Sequence, residues 1–279
     1  MAVQQKIMIR IGITLISALM ASQFAICQIN MDAFHYTKHY IDSKYLNENR
    51  EFWVSLPLHY SDTNTYNVMY VFDAEWRFNL TRYIEFDFSA NNKIDKHIIV
   101  GIPHIEVERQ RGKDLSFSES RMEYDGDAVD STWYNSTNSG NGMRFYQYLT
   151  KELMSTVDSL YSTNGDNTLV GHSMGGYFCG YILSMEHPFT TLHLYDPAIW
   201  YGDGEVTKLI KKGIAKQQKV NVLITYQPIP AFHKTKIEEL IEELKKSEHI
   251  ELNYQLYPNE THNSLYLPSF LKGIDLLLK

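Results

Sequence analysis

Cysteine and clustered positive charge are the two features this sequence has least of. It contains two cysteines, Cys27 and Cys179, among 279 residues. A chain that starts after residue 27 therefore has no internal disulfide and no cysteine cluster for zinc. The formal net charge is −7, and the lysines and arginines are scattered. Because a nucleic-acid-binding surface needs a concentrated basic patch, the composition argues against nucleic acid as a partner.

Long apolar runs are also scarce, and the longest lies at the N-terminus. Lys6 and Arg10 flank the start of this run, in residues 7–27, and small and polar residues follow near its end. The pattern is typical of a secretory signal peptide. We predict a signal peptide over residues 1–27 and an exported mature protein, periplasmic or secreted, with no membrane attachment after cleavage. The alternatives are an uncleaved membrane anchor and lipid attachment at Cys27.

Short strand-like runs alternate with amphipathic segments along the rest of the chain. The runs are rich in β-branched and aromatic residues and cover 50–57, 66–73, 97–102, 167–171, 191–196, 220–226 and 251–258. Helical periodicity marks 143–161 and 234–247. Near-continuous apolar strands suit a parallel sheet covered by helices on both faces. We predict an α/β fold with a doubly wound, mostly parallel sheet, in a single domain over residues 28–279.

One segment, from about residue 109 to residue 142, lacks this periodicity. It is rich in Ser, Asn, Gly and Asp, which is typical of a long loop. Loops of this length inside a compact domain are usually functional. We therefore expect a lid or a pocket rim here.

A serine flanked by glycines, in the stretch GHSMGG at 171–176, follows an apolar strand and opens an apolar helix. This is the context of a nucleophile elbow, a strained turn in which glycines let strand and helix approach closely. We predict that Ser173 is a nucleophile and that the Met174 N–H, at the helix N-terminus, stabilises an oxyanion. The alternative is a serine that only occupies a tight turn.

A nucleophilic serine needs a base, and His262 is the candidate. It lies just after the last predicted strand, where a loop can carry the imidazole over the carboxyl ends of the strands. The other histidines fit less well, because His172 lies inside the elbow, His187 ends a helix and His233 opens one.

The acid of a catalytic triad is harder to place. No Asp or Glu follows the strand at 220–226 until Glu238, on a helix. Asp196 ends the preceding strand and begins a stretch, DPA, that is similar to the acid site of pancreatic-type lipases. It is either the triad acid or a turn former before Pro197. A Ser-His dyad is the fallback, and Glu260 is a weaker candidate.

Several motifs together resemble the putative-esterase family of α/β-hydrolases, over most of residues 45–275. They are REFWVSLP, VMYVFDAEW, IIVGIPHIEVERQRGKDL, FYQYLTKELMSTVDSLY, LVGHSMGGYFCGYIL, DPAIWY and the late His262. The family includes enterochelin and other siderophore esterases, feruloyl esterases, S-formylglutathione hydrolase and the mycolyltransferases.

The resemblance implies an α/β-hydrolase fold in which Ser173 and His262 are the nucleophile and the base. It implies a second oxyanion donor at the backbone N–H of Ala74 or Glu75, where the family commonly has a glycine. The family often has Ser where Asp196 stands and Glu in the turn after the strand at 220–226. Periplasmic siderophore esterases work with a Ser-His pair, so a missing acid does not exclude activity.

The expected function is that of a serine esterase that hydrolyses small-molecule carboxylic esters through an acyl-enzyme, without a cofactor. Siderophore, feruloyl and acetyl-sugar esters are the candidate substrates. Loop aromatics near the predicted site would suit such groups, namely Trp133, Tyr134, Trp200 and Tyr201. The alternatives are an acyltransferase of the mycolyltransferase type and a non-catalytic binding module. No metal site is expected, since His35 and His39 lack a third ligand.

Overall fold

Eight strands form one twisted sheet in the computed structural model, which describes residues 35–104, 107–214 and 219–278. The strands are β1 (Thr37–Ser43), β2 (Glu48–Ser55), β3 (Tyr66–Phe72), β4 (His97–Ile102), β5 (Thr163–His172), β6 (Thr191–Tyr195), β7 (Val220–Tyr226) and β8 (Ile250–Leu256). Their order in the sheet is β1-β2-β4-β3-β5-β6-β7-β8. β3 to β8 run parallel, and β1 and β2 are antiparallel to their neighbours. This confirms the predicted mostly parallel sheet.

Helices cover the sheet. They are α1 (Ala74–Ala90), α2 (Val107–Leu115), α3 (Gly142–Gln147), a π-helical segment (Tyr148–Leu153), α4 (Met154–Leu160), α5 (Met174–Ile182), α6 (Tyr201–Lys212), α7 (Ala231–Leu244) and α8 (Tyr266–Asp275). The helix predicted at 143–161 is thus helical as far as residue 160 and changes to π geometry in its middle. α7 begins and ends three residues earlier than the segment predicted at 234–247.

The core consists of the apolar strands and the helix faces against them. β3 and β4 are almost entirely buried, as expected of central parallel strands. Sequence patterning missed α1 and α6 and gave no bounds for β1. β1 is a mostly polar and exposed edge strand. α1 was missed because its buried face includes polar residues, which conceal the apolar stripe: Thr81, Arg82, Glu85 and Ser89.

The segment predicted as a loop from 109 to 142 begins with a helix, so the prediction was wrong for residues 109–115. α2 covers Val107–Leu115, a stretch with too little apolar periodicity to be recognised. Ion pairs hold it instead, because Arg111 and Asp114 contact buried charges of other elements. The irregular loop is confined to residues 116–141.

Residues 37–279 cluster as one compact unit. The predicted signal peptide at 1–27, including Cys27, lies outside the described residues. Within the described ranges, no helix combines the length and the apolar character needed to cross a bilayer.

Candidate active site

Ser173 lies in a strained turn between β5 and α5. Its backbone has φ 60° and ψ −117°, a conformation that residues with side chains rarely adopt. A Cβ on Gly171 would come within 2.2 Å of the Gly175 carbonyl oxygen, and one on Gly176 would come within 2.8 Å of the Pro197 Cβ. Glycines at 171 and 176 therefore allow β5, α5 and the turn after β6 to approach this closely. The sharp turn predicted from the sequence is present, with Ser173 at its apex.

Asp196 and His262 meet at the carboxyl ends of the central strands. Asp196 follows β6 with its side chain 0% exposed, whereas His262 lies in the loop between β8 and α8 with its side chain 43% exposed. The His262 Nδ1 donates a hydrogen bond of 2.6 Å to the Asp196 Oδ2. Glu260, the other acid considered, accepts a hydrogen bond from the Ser264 hydroxyl instead. Since Ser173 and His262 line the same cavity, the three predicted catalytic side chains converge on one region.

A second histidine, His233 of α7, also contacts Asp196. Its Nε2 donates a hydrogen bond of 3.0 Å to Oδ1, and the backbone and side-chain N–H groups of Gln227 lie 3.2 and 3.3 Å from the two carboxylate oxygens. We call Asp196, His233 and His262 the Asp196 cluster. Sequence reasoning missed His233. The signal available in the sequence was the absence of an acid after β7. If Asp196, after β6, provides the carboxylate instead, the turn after β7 must provide groups that donate hydrogen bonds to it.

The electrostatics of the cluster keep Asp196 ionised. Burial is the largest influence and raises the pKa of Asp196, but hydrogen bonds from His233 and His262 outweigh it. The net effect holds the pKa of Asp196 well below its ordinary value of 3.8. At neutral pH the carboxylate therefore remains an anion facing the His262 Nδ1–H.

His172, inside the elbow, holds the loop that carries His262. Its Nε2 lies 2.8 Å from the His262 carbonyl oxygen, and the two ring centroids are 4.6 Å apart. Burial, with a smaller contribution from His262, lowers the pKa of His172 to about 3. His172 is therefore neutral at physiological pH and donates its Nε2–H to this carbonyl. It stabilises the position of the base without adding charge beside it.

The predicted oxyanion donors lie at the starts of α1 and α5. β3 and β5 are adjacent and parallel, in a register that places the residues just after each strand side by side. α1 begins at Ala74, followed by Glu75, and α5 begins at Met174. First-turn N–H groups have no partner within their own helix, so both helices direct free donors towards this edge of the sheet. These placements agree with the predicted roles, which stay predictions.

A buried ionic network lies behind the oxyanion turn. Asp73, with φ 56°, precedes α1, and both of its carboxylate oxygens accept hydrogen bonds from Arg111, at 2.6 and 2.8 Å. Arg111 also donates to the His172 carbonyl oxygen at 3.2 Å. One guanidinium therefore connects the residue before the α1 donors to the residue before Ser173. Bidentate pairing of this kind fixes geometry as well as charge.

His104 extends this network towards β2. Its two ring nitrogens lie 3.4 Å from oxygens of Asp73 and Asp114, and Asp114 in turn pairs with Arg50 at 2.8 Å. We call His104, Asp73, Asp114, Arg50 and Arg111 the His104 cluster. Burial is the largest influence on the pKa of His104 and lowers it, but contacts with Asp114 and Asp73 outweigh it and raise the pKa overall. Arg111 is the strongest of the influences that overcome burial and lower the pKa of Asp73.

A cavity of about 300 Å³ opens beside the Asp196 cluster. It is lined by Tyr124, Ser173, Ala198, Trp200, Gln227, Ile229, His233 and His262. Of the aromatics predicted near the site, Trp200 is in this lining. Trp133 is exposed, and Tyr134 packs edge-on against Tyr201 outside it. Tyr124, from the 116–141 loop, is an aromatic wall that the sequence did not single out.

The 116–141 loop is fastened to the helices beneath it. The Ser118 hydroxyl donates to Glu205 of α6 at 2.6 Å, and the Tyr177 hydroxyl donates to the same carboxylate oxygen. The Tyr201 hydroxyl donates to the Ser118 carbonyl and contacts the Ser139 hydroxyl, both at 3.1 Å. These contacts connect the loop to α5 and α6, and its role as a lid or a pocket rim stays a prediction.

The Asp196 cluster also has the residue types of a metal site, with one ligand atom from each residue inside a 4.8 Å separation. Zinc binds the lone pairs of imidazole nitrogens. The His233 Nε2 and the His262 Nδ1 both face carboxylate oxygens at hydrogen-bond distance and so carry their protons there. The arrangement therefore fits a hydrogen-bonded carboxylate between two imidazoles.

The comparisons with known proteins point to one family. The family model described as putative esterase matches residues 43–189. An IroE-like serine hydrolase from Shewanella oneidensis has a similar structure, with a TM-score of 0.77 and 25% identity, over 88% of this chain and 80% of its own. No curated protein is similar enough in sequence to match.

Two further structures share the fold at lower identity. Siderophore hydrolase EstB from Aspergillus nidulans has a TM-score of 0.72 and 17% identity, over 87% of this chain and 95% of its own. A feruloyl esterase module from Clostridium thermocellum, complexed with sinapinate, has a TM-score of 0.61 and 16% identity, over 88% and 87%. The predicted α/β-hydrolase fold is confirmed.

Proposed function

Since the chain belongs to the putative-esterase family, we propose that it is a serine esterase in which Ser173, His262 and Asp196 form a catalytic triad. The observation that carries this proposal is the 2.6 Å hydrogen bond between the His262 Nδ1 and the buried Asp196, beside a cavity that Ser173 also lines. A carboxylate in this position fixes the tautomer that leaves the His262 Nε2 free to accept a proton.

The proposed triad acts through an acyl-enzyme. His262 removes the proton of the Ser173 hydroxyl as the oxygen attacks the ester carbonyl carbon, and Asp196 stabilises the imidazolium that forms. The Met174 N–H and an N–H of Ala74 or Glu75 stabilise the oxyanion. His262 then protonates the departing alcohol. Water, activated by the same imidazole, attacks the acyl-enzyme and releases the acid.

The substrate we propose is a small-molecule ester with one aromatic or short acyl group in the cavity. A volume of about 300 Å³ lies at the lower end of ligand pockets. Tyr124, Trp200 and Ile229 give it apolar walls, which suit an aromatic ring. Siderophore, feruloyl and acetyl-sugar esters remain the candidates, supported by structural similarity to a siderophore hydrolase and a feruloyl esterase module.

The pattern of residues 1–27 supports export to the periplasm or the medium. N-terminal sequencing of the mature protein tests this, and we expect it to begin near Gln28. An intact N-terminus on the isolated protein would contradict cleavage.

The decisive experiment measures hydrolysis of p-nitrophenyl acetate and of feruloyl and catecholate esters by the wild type and by Ser173→Ala. We expect turnover by the wild type and its loss in the variant, with both proteins equally folded. Stoichiometric labelling of Ser173 by a fluorophosphonate gives a second readout. A wild type that neither turns over nor labels would instead support a non-catalytic binding module.

A further inference from the structure

We propose that His233 is a positioning residue that holds Asp196 in the ionised, correctly oriented form that His262 requires. This inference rests on the proposed function, because it assigns a role in the same site. The triad would then operate as four residues, with the two imidazoles on opposite oxygens of one carboxylate.

Hydrogen bonds saturate the carboxylate of Asp196. A carboxylate has about four acceptor positions. Four hydrogen bonds occupy them here: His262 and the Gln227 amide on Oδ2, and His233 and the Gln227 backbone N–H on Oδ1. The two Gln227 contacts are the longest, at 3.2 and 3.3 Å. His233, at 3.0 Å, is therefore the main partner of Oδ1 and the contact that opposes rotation of the carboxylate away from His262.

His233 is itself held rigidly. It lies in the first turn of α7 and is 3% exposed, so its imidazole has little freedom. α7 packs against α6 and the sheet through its buried residues Ile237, Leu240, Ile241 and Leu244. A donor built on a packed helix holds its partner more precisely than one on a loop.

The residue type at position 233 also affects how much of the negative charge of Asp196 is available to His262. His233 faces one carboxylate, Asp196, and its ring lies 6.4 Å from that of His262. An imidazole can donate a hydrogen bond to a carboxylate without a net charge of its own, so it can hold the anion and leave its charge to stabilise the His262 imidazolium. A lysine or arginine in this place would pair with Asp196 and compete with that imidazolium.

The test compares His233→Leu, which removes the donor, with His233→Gln, whose amide can reach the same oxygen. A hydrogen bond to a charged group is worth roughly a 10- to 100-fold change in rate. We expect His233→Leu to lower kcat by about that factor while KM for p-nitrophenyl acetate stays within about twofold, and His233→Gln to recover most of the loss. His193→Leu is the matched control, because His193 is also buried but contacts Tyr195 and lies against Gly273 of α8 rather than against the Asp196 cluster.

A second readout does not depend on turnover. In a Ser173→Ala background, the His262 Nδ1 proton should give a low-field NMR resonance. We expect His233→Leu to shift or broaden this resonance and His193→Leu to leave it unchanged. An inert wild type that still shows this shift would overturn the proposed function and keep the role of His233.

Three results would overturn the inference. One is a folded His233→Leu protein with wild-type kcat and an unchanged resonance. Another is a change confined to KM, which would make His233 only a wall of the cavity. The third is equal loss in His233→Leu and His233→Gln without any effect on the resonance.

Discussion

The Asp196 cluster and the His104 cluster use the same residue types in opposite ways. Both place imidazoles against buried carboxylates at the same edge of the sheet. In the Asp196 cluster one carboxylate serves two histidines, and His262 is 43% exposed beside a cavity. In the His104 cluster one histidine, with its side chain 0% exposed, lies between two carboxylates that are also paired with arginines.

The difference shows what makes a histidine suitable for proton transfer. Two carboxylates outweigh burial and raise the pKa of His104, which favours its protonated form. His262 has a single carboxylate, shared with His233, and an exposed edge that a substrate can approach. Histidine and aspartate in contact are therefore not sufficient for catalysis. The ratio of acids to imidazoles and the access from solvent distinguish the Asp196 cluster, proposed as catalytic, from the buried His104 cluster.

Replacing the carboxylate of the Asp196 cluster should cause the strongest loss of turnover. We expect Asp196→Asn to lower kcat by about 10² to 10⁴-fold, because an amide no longer fixes the His262 tautomer or stabilises its cation. Hydrolysis of a chromogenic ester measures this, with Asp203→Asn, an exposed position, as the control. Near-normal turnover in a folded Asp196→Asn protein would favour a Ser-His dyad instead.

Removing a charge from the His104 cluster should instead lower the stability of the protein. Asp114→Asn leaves Arg50 and His104 short of a buried counter-charge, and we expect the free energy of unfolding to fall by about 3 kcal/mol. Urea denaturation measures this. Glu242→Gln removes an exposed ion pair with Lys245 and should leave the free energy of unfolding nearly unchanged. If Asp114→Asn reduced kcat as strongly as Asp196→Asn without loss of stability, the division into a catalytic and a structural cluster would be wrong.

A smaller loss of turnover is expected when the hydrogen bond from His172 to the His262 carbonyl oxygen is removed. His172→Phe keeps a ring under His262 but removes the hydrogen bond to its carbonyl. We expect kcat to fall about fivefold, the value of one neutral hydrogen bond. Steady-state kinetics measure this, and His187→Phe, a substitution outside the site, provides the control. An unchanged kcat would mean that Asp196 alone positions the His262 loop.

The smallest expected change is in how the stability contributed by His104 depends on pH. The pKa of His104 is raised in the folded protein above its ordinary value of 6.5, so the stabilisation it provides is complete below about pH 6.5 and is lost as pH rises through the folded-state pKa. We expect the wild type to exceed His104→Gln in free energy of unfolding by more at pH 5.5 than at pH 9. Urea denaturation at both values measures this. A difference that grows with pH would show that His104 is buried as a neutral imidazole.

Sequence reasoning recovered the elements whose signals are local. Apolar runs gave the central parallel strands, and GHSMGG gave the elbow at Ser173. It missed α1, whose buried face carries Arg82 and Glu85, and the helix at 107–115, which ion pairs stabilise. Both failures have one cause. Polar groups satisfied by distant partners look, in sequence, like surface or loop residues.

The local sequence specifies the turn at Ser173, because a Cβ on Gly171 would clash with the carbonyl group of Gly175, four residues along the chain. It also placed His262 after the last strand. The contacts of Asp196 with His262 and with His233 exist only in the folded structure, because His262 and His233 lie 66 and 37 positions away from Asp196 in the chain. Such meetings depend on the order and register of β6, β7 and β8, which no local pattern specifies.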